Sequence, residues 1–126
     1  MEFPAQLRYS REHEWVRVEG DEAVIGITDF AQDSLGDVVY VALPEAGSEV
    51  AANDRCGEIE STKSVSDLYA PVGGTVVVAN DALVERPELL NQDPYGEGWI
   101  VRLRLADPAQ VEALLDADAY RALVAD

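Results

Sequence analysis

The sequence predicts a mainly β fold: a sandwich of two small antiparallel sheets, with a short helix near 28–35 and helices at the C-terminal end. Three observations predict it. An internal repeat runs through the middle of the chain. A hairpin signature opens it, and period-two strand patterns bounded by turn clusters follow.

Residues 44–54 read PEAGSEVAAND and residues 71–81 read PVGGTVVVAND. Aligned without gaps at an offset of 27, they share Pro44/Pro71, Gly47/Gly74, Val50/Val77, Ala52/Ala79, Asn53/Asn80 and Asp54/Asp81. Two copies are too few for a solenoid, which needs at least about three. They suit a pseudo-twofold arrangement of strand-rich units. The midpoint between Asp54 and Pro71 is 62.5, between Thr62 and Lys63. The linking segment 57–70 is therefore expected to fold back as a hairpin with these two residues at its tip.

The remaining elements follow in order. HEWVRV is a strand, Glu19-Gly20-Asp21-Glu22 a turn, and AVIGI the returning strand. Thr28 is placed to cap a short helix over DFAQDSL, with Asp29 in its first turn and Gly36 as its stop. Ile27, Phe30, Ala31 and Leu35 fall near one face of that segment and are expected to pack onto the sheet. DVVYVAL reads as a strand ended by Pro44, and NQDPYGEG as a dense turn cluster. WIVRLRL alternates Trp99, Val101, Leu103 and Leu105 against Arg102 and Arg104, the pattern of a half-buried strand. Asp107, Pro108 and Gln110 resemble a capping box, so the segment 107–125 reads as one or two closing helices.

Composition narrows the function. At 126 residues the chain is expected to form one domain, 1–126, of a size that buries about two-thirds of its unfolded surface. A formal charge of −16 argues against a nucleic-acid partner and against an anionic membrane surface. Cys56 is the single cysteine and His13 the single histidine, which removes an intrachain disulfide, CxxC and zinc clusters and His-based metal sites, and argues against a Ser-His-Asp triad. MEFPAQLRYS lacks the basic and apolar regions of a secretory signal, so a cytoplasmic location is expected.

Lys63 is the single lysine among nine basic residues; the other eight are arginine. Its neighbours Ser61, Thr62, Ser64 and Asp67 are polar. A Schiff-base lysine needs an apolar pocket or a second cation, so this setting disfavours catalysis by the amine itself. An exposed tip lysine suits the opposite role, as an acceptor that another enzyme acylates.

HEWV, GITDFAQDSLGDVVYVALP, GEIESTKSVSDLYAPVGG, the N-x-x-L of Asn80 to Leu83, NQDPYGEGW and the closing AYRAL together resemble the glycine cleavage H-protein family. The likeness runs from about Tyr9 to Tyr120 in matching order and spacing. It implies a lipoyl/biotinyl-type sandwich, or barrel-sandwich hybrid. It also implies a carrier, not an enzyme, with lipoic acid joined through an amide to Lys63. By the same resemblance, a P protein decarboxylates glycine and leaves an aminomethyl group on the arm. A T protein passes that carbon to tetrahydrofolate, an L protein reoxidises the dithiol, and a lipoyl ligase or transferase installs the arm. Tethering raises the local concentration of the cargo at each site. A monomer is expected.

In the family, a glutamate in HEW and the aspartate after the lysine hairpin lie near a groove that shelters the arm. The matching positions are Glu14 and Asp67, with Ile27, Ala31 and Leu35 as apolar walls. Each acid also has a plainer reading, Glu14 as an exposed strand acid and Asp67 as a mark for the ligase. His13 is expected to be structural and Cys56 a small buried filler. Position 34 is Ser34, where many relatives carry histidine. Rival readings are a dehydrogenase lipoyl domain, which usually shows Asp-Lys-Ala, and a biotinyl domain, which usually shows Met-Lys-Met; this chain has Thr62-Lys63-Ser64. Two further rivals are a lipoyl-relay or sulfur-carrier protein of the same fold and an unmodified acidic interaction module.

Overall fold

The computed structural model describes residues 1–125. Nine strands form two antiparallel sheets, one of six strands and one of three, and neither closes into a barrel. The hairpin predicted at the start is β2 (Glu14–Glu19) and β3 (Glu22–Ile27), joined by a two-residue turn. A short strand β1 (Arg8–Tyr9) adds to its edge. Then come α1 (Asp29–Leu35), β4 (Val38–Ala42), β5 (Glu49–Val50), β6 (Arg55–Ser61), β7 (Val65–Tyr69) and β8 (Gly74–Ala79). The chain ends with α2 (Ala82–Glu85), α3 (Leu89–Gln92), β9 (Val101–Leu105), α4 (Ala109–Glu112) and α5 (Ala117–Val124). The larger sheet has the order β1-β2-β3-β9-β8-β5, and the smaller β4-β6-β7.

The register explains the repeat. Its two copies face each other in the larger sheet, with Glu49 opposite Thr75 and Val50 opposite Gly74. Between them β6 and β7 pair Glu58 with Asp67, Ile59 with Ser66 and Glu60 with Val65. Each of these β6–β7 pairs is equidistant from the point between Thr62 and Lys63. The copies are not identical in detail. Asn53 adopts φ 73°, whereas Asn80 uses its side chain to donate to the carbonyls of Glu97 and Trp99.

Period-two burial builds the core between the sheets. Val16, Ile25, Ile27, Val41, Ile59, Leu68, Val76 and Leu103 point inward, and Leu35, Leu83 and Leu90 close the edges from the helices. Trp15 and Val24 point to the opposite face, where Leu7, Tyr9, Ala117 and Tyr120 form a second cluster. This end of the sheet is thus covered on both sides, which is why AVIGI is apolar without alternation. Trp15 lies across Gly26 on the neighbouring strand; a Cβ there would meet the indole at 2.6 Å.

Three local expectations need correction. Gln110 forms no capping box: its Oε1 accepts from the Gly73 amide, while Asp107 Oδ1 accepts from Ala109 N. The last strand starts at Val101, with Trp99 half-buried against the second cluster. Phe30 likewise stays half-buried and tilts against the His13 ring, outside the main core.

Candidate functional site: the lysine hairpin and the adjoining groove

The hairpin tip is held by backbone and one hydroxyl. Ser61 N donates to the Ser64 carbonyl at 2.8 Å, and Ser61 Oγ accepts from the amides of Lys63 (3.3 Å) and Ser64 (3.1 Å). Thr62 N donates to the Asp37 carbonyl at 3.0 Å, which ties the tip to the corner after α1. That corner is Gly36, at φ 80° and ψ −157°, where its N–H closes the helix on Gln32 O. The Lys63 stem lies over it, with Cε 3.4 Å from where a Cβ would stand. The side chain is exposed while its backbone is pinned.

Beside the tip is a cavity of about 360 Å³. Ile27, Ala31, Leu35 and Leu68 supply apolar wall, Ser64 and Asp67 line the lysine side, and Glu14 and His13 the far side. All five proposed groove residues, Glu14, Ile27, Ala31, Leu35 and Asp67, therefore line one space, and Lys63 stands next to its rim. Helix α1 forms the wall because Thr28 Oγ1 accepts from Ala31 N and fixes the first turn.

Glu14 is 2 % exposed, so it is not the exposed strand acid of the plainer reading. Ser10 Oγ donates to its Oε1 at 2.5 Å and Tyr69 N donates to its Oε2 at 3.3 Å. Burial pushes its carboxyl up to about 7, while those two hydrogen bonds and the nearby Glu12 modify the effect. A buried acid with that affinity changes charge near neutral pH.

Asp67 differs. It is exposed, and its Oδ1 accepts from Arg55 Nε at 2.8 Å while Oδ2 accepts from Tyr69 Oη at 3.4 Å. Arg55 also donates to Glu58 at 3.0 Å. The negative charge at this end of the groove already has a partner.

His13 occupies φ 73°, and its Nδ1 lies 2.8 Å from Tyr120 Oη, which in turn lies 2.8 Å from Thr28 Oγ1. Burial lowers the imidazole's proton affinity and favours the neutral ring, which shares a hydrogen bond with Tyr120 Oη through Nδ1. This chain ties α5 to the cap of α1. Cys56 packs half-buried against the core, and burial followed by the Glu14 charge pushes its thiol up to about 11. Among the described residues no group of three or more His, Cys, Asp or Glu could hold a metal ion.

Sequence reasoning missed Ser10, Arg55, Tyr69 and Tyr120. The spacing of Ser10 and Glu14 across a tight reversal was the one local signal, since Ser10 N donates to Glu14 O at 2.9 Å.

A family model described as Glycine cleavage H-protein matches residues 7–126. The chain belongs to the glycine cleavage H-protein family. It is 60% identical over 119 residues to a glycine cleavage system H protein of Symbiobacterium thermophilum, covering 94% of this chain and 93% of that one. To the protein of the same name from Enterobacter sp. it is 57% identical, covering 96% and 95%. The crystal structure of a glycine cleavage system H protein from Mycobacterium marinum superposes with a TM-score of 0.87 at 42% identity, covering 94% and 96%. Membership makes this chain a carrier component of the glycine cleavage system, one that interacts with the other components of that system. No helix among the described residues is long and apolar enough to cross a membrane. Within the family frame, Ser34 stands exposed at the groove lining, next to Leu35.

Proposed function

We propose that this H-protein family member is the lipoylated carrier of glycine cleavage, acting as a cytoplasmic monomer with lipoic acid joined through an amide to Lys63 Nζ. The observation that supports this most is the address of Lys63. The only lysine of the sequence is exposed at the centre of a pinned hairpin, beside a cavity with apolar walls and one buried carboxyl. A mainly aliphatic arm fits such a space. When bound at Lys63, the group would supply a disulfide able to take up the aminomethyl group at the P protein and be left as a dithiol at the T protein, which the L protein would return to the disulfide with NAD as the oxidant.

The protein's own residues do the rest. Lys63 Nζ offers its lone pair to an activated lipoyl carbonyl; the C–N bond forms as the activating group leaves, and the amine proton passes to the ligase or transferase. Ser61 and the Thr62–Asp37 bond hold the acceptor in one orientation, so the modifying enzyme meets an ordered loop. Ile27, Ala31 and Leu35 keep bulk water from an arm folded into the groove. Glu14, poised near neutrality, ionises when a cation enters beside it, because an opposite charge within about 4–6 Å favours the charged carboxylate. An ammonium cargo would thus form a paired, water-poor couple with Glu14 at the far end of the groove. Asp67, already held by Arg55, contributes less charge to that couple.

Reconstitution tests the reading. Lipoylated protein should support exchange of the glycine carboxyl with bicarbonate by the P protein, and a Lys63→Arg variant should not. Exchange that survives loss of Lys63 would overturn the assignment.

A further inference from the structure

Glu14 lines two cavities, not one. The groove lies on one side; on the other is a space of about 320 Å³ lined by Tyr9, Ser10, Arg11, Asn53, Pro71 and Leu114. Glu14, like Glu12, borders both spaces, and Ser10 lines the second one with its hydroxyl on the Glu14 carboxyl. We propose that Ser10 is the positioning residue for Glu14: its hydroxyl fixes the carboxyl at the border of the two spaces and sets the pH at which the groove turns anionic.

The geometry carries this. Ser10 Oγ accepts the Glu14 amide at 3.0 Å, which directs its single proton toward Glu14 Oε1. That arrangement favours the ionised acid, since the hydroxyl donates and Tyr69 N donates to the other oxygen. When Glu14 takes up a proton, the roles at Oε1 reverse. The carboxyl O–H then donates to Ser10 Oγ, and the hydroxyl turns to the Glu14 carbonyl, 3.5 Å away. Both charge states keep hydrogen-bonded partners inside a buried site, where an unpaired polar atom is costly. Ser10 is itself 9 % exposed and borders the rear cavity, which gives the proton an exchange path when the groove is filled.

The other titratable groups near Glu14 come from four elements of the fold. Glu12 and His13 lie on the loop that leads into Glu14 at the start of β2, Cys56 on β6, Asp67 and Tyr69 on β7 and Tyr120 on α5, and Arg11 borders the rear cavity. Burial keeps Cys56 and Tyr120 neutral across the neutral range and lowers the proton affinity of His13. Exposed Glu12 and the Arg55-paired Asp67 are the remaining carboxylates of the groove, and Glu12→Gln and Asp67→Asn controls remove them.

The consequence for cargo rests on the carrier reading, but the test begins without the arm. In unmodified full-length protein, isotope-labelled carboxyl resonances are titrated, with Glu14→Gln identifying the Glu14 signal. Ser10→Ala should raise the Glu14 midpoint by about one pH unit, a tenfold change in proton affinity, and Ser10→Thr should restore it. Should Ser10→Ala fail to fold, Ser10→Cys, whose thiol is a weak donor, should move the midpoint in the same direction. An unmoved midpoint in Ser10→Ala, or in Ser10→Cys if that variant stands in, overturns the proposal. In lipoylated protein, the pH profile of P-protein-dependent loading should shift with the same sign. A shifted titration with Lys63 never accepting lipoate would sink the carrier reading and leave the Ser10–Glu14 coupling standing.

Discussion

The amide of Thr62 donates to the carbonyl of Asp37 at 3.0 Å, so the lysine-bearing tip is stitched to the corner that ends α1. The groove wall and the acceptor loop are therefore joined by a backbone hydrogen bond. Gly36 shapes that corner in a region of backbone space that only glycine enters without strain.

Gly36→Ala should cost about 1–3 kcal/mol of folding stability from backbone strain, read by urea denaturation. Its new Cβ would only touch the flexible Lys63 stem, 3.4 Å from Cε, so any slowing of lipoylation should come from movement of the corner itself. An unchanged midpoint would mean that the corner relaxes freely and does not fix the tip.

Ser61→Ala removes the acceptor shared by the Lys63 and Ser64 amides. A loss of about 0.5–1.5 kcal/mol is expected. The specific signature is faster hydrogen exchange at the amides of Lys63 and Ser64, with exchange in the β2–β3 hairpin unaffected. Equal protection at the tip would show that the Ser61 N to Ser64 O bond suffices.

Glu14 gives stability a pH dependence of defined sign. Its folded value of about 7 lies above the ordinary 4.5, so the folded state holds a proton that the unfolded state has lost. The contribution is fully present below about 4.5, falls as pH rises, and is lost above about 7; the whole change is about 3 kcal/mol. Glu14→Gln should therefore gain stability relative to the parent between about pH 5 and about pH 8, by up to that amount. A parent and variant with the same pH dependence would contradict the burial-driven shift.

The two acids of the groove should differ in function. Glu14→Ala should shorten the lifetime of the loaded cargo, measured as ammonia released without the T protein, and leave lipoylation intact. Asp67→Asn should change that lifetime less, because Arg55 already holds the Asp67 carboxylate at 2.8 Å. The exposed Arg55–Asp67 pair should also leave the denaturation midpoint nearly unchanged. Equal release rates in the two variants would count against the separate roles.

Much of the frame was legible because it is local or symmetric. Thr28, Asp29 and Gly36 bound α1 by capping chemistry that lies within a few residues. The point between Thr62 and Lys63 followed from the repeat, and the β6–β7 register is centred there. The sheets are unequal, however, and both repeat copies lie in the larger one, which spacing alone does not distinguish. Side-chain choices over long range were hidden. Gln110 had a plausible neighbour in Asp107, yet it reaches Gly73 across 37 positions. Tyr120 finds His13 and Thr28 across 107 and 92 positions, where no local pattern operates. Apolar periodicity marked Ile27, Ala31 and Leu35 as a face packing onto the sheet, and the resemblance supplied their place in the groove together with Glu14 and Asp67. Burial of one acid and pairing of the other come only from tertiary packing.

The most direct test is the mass of the protein isolated from cells supplied with lipoate and a competent ligase, followed by peptide mapping. The account predicts the increment of a single lipoyl amide, located on Lys63 within the peptide spanning the β6–β7 hairpin. Unmodified Lys63 under those conditions, or a biotin increment in its place, would contradict it.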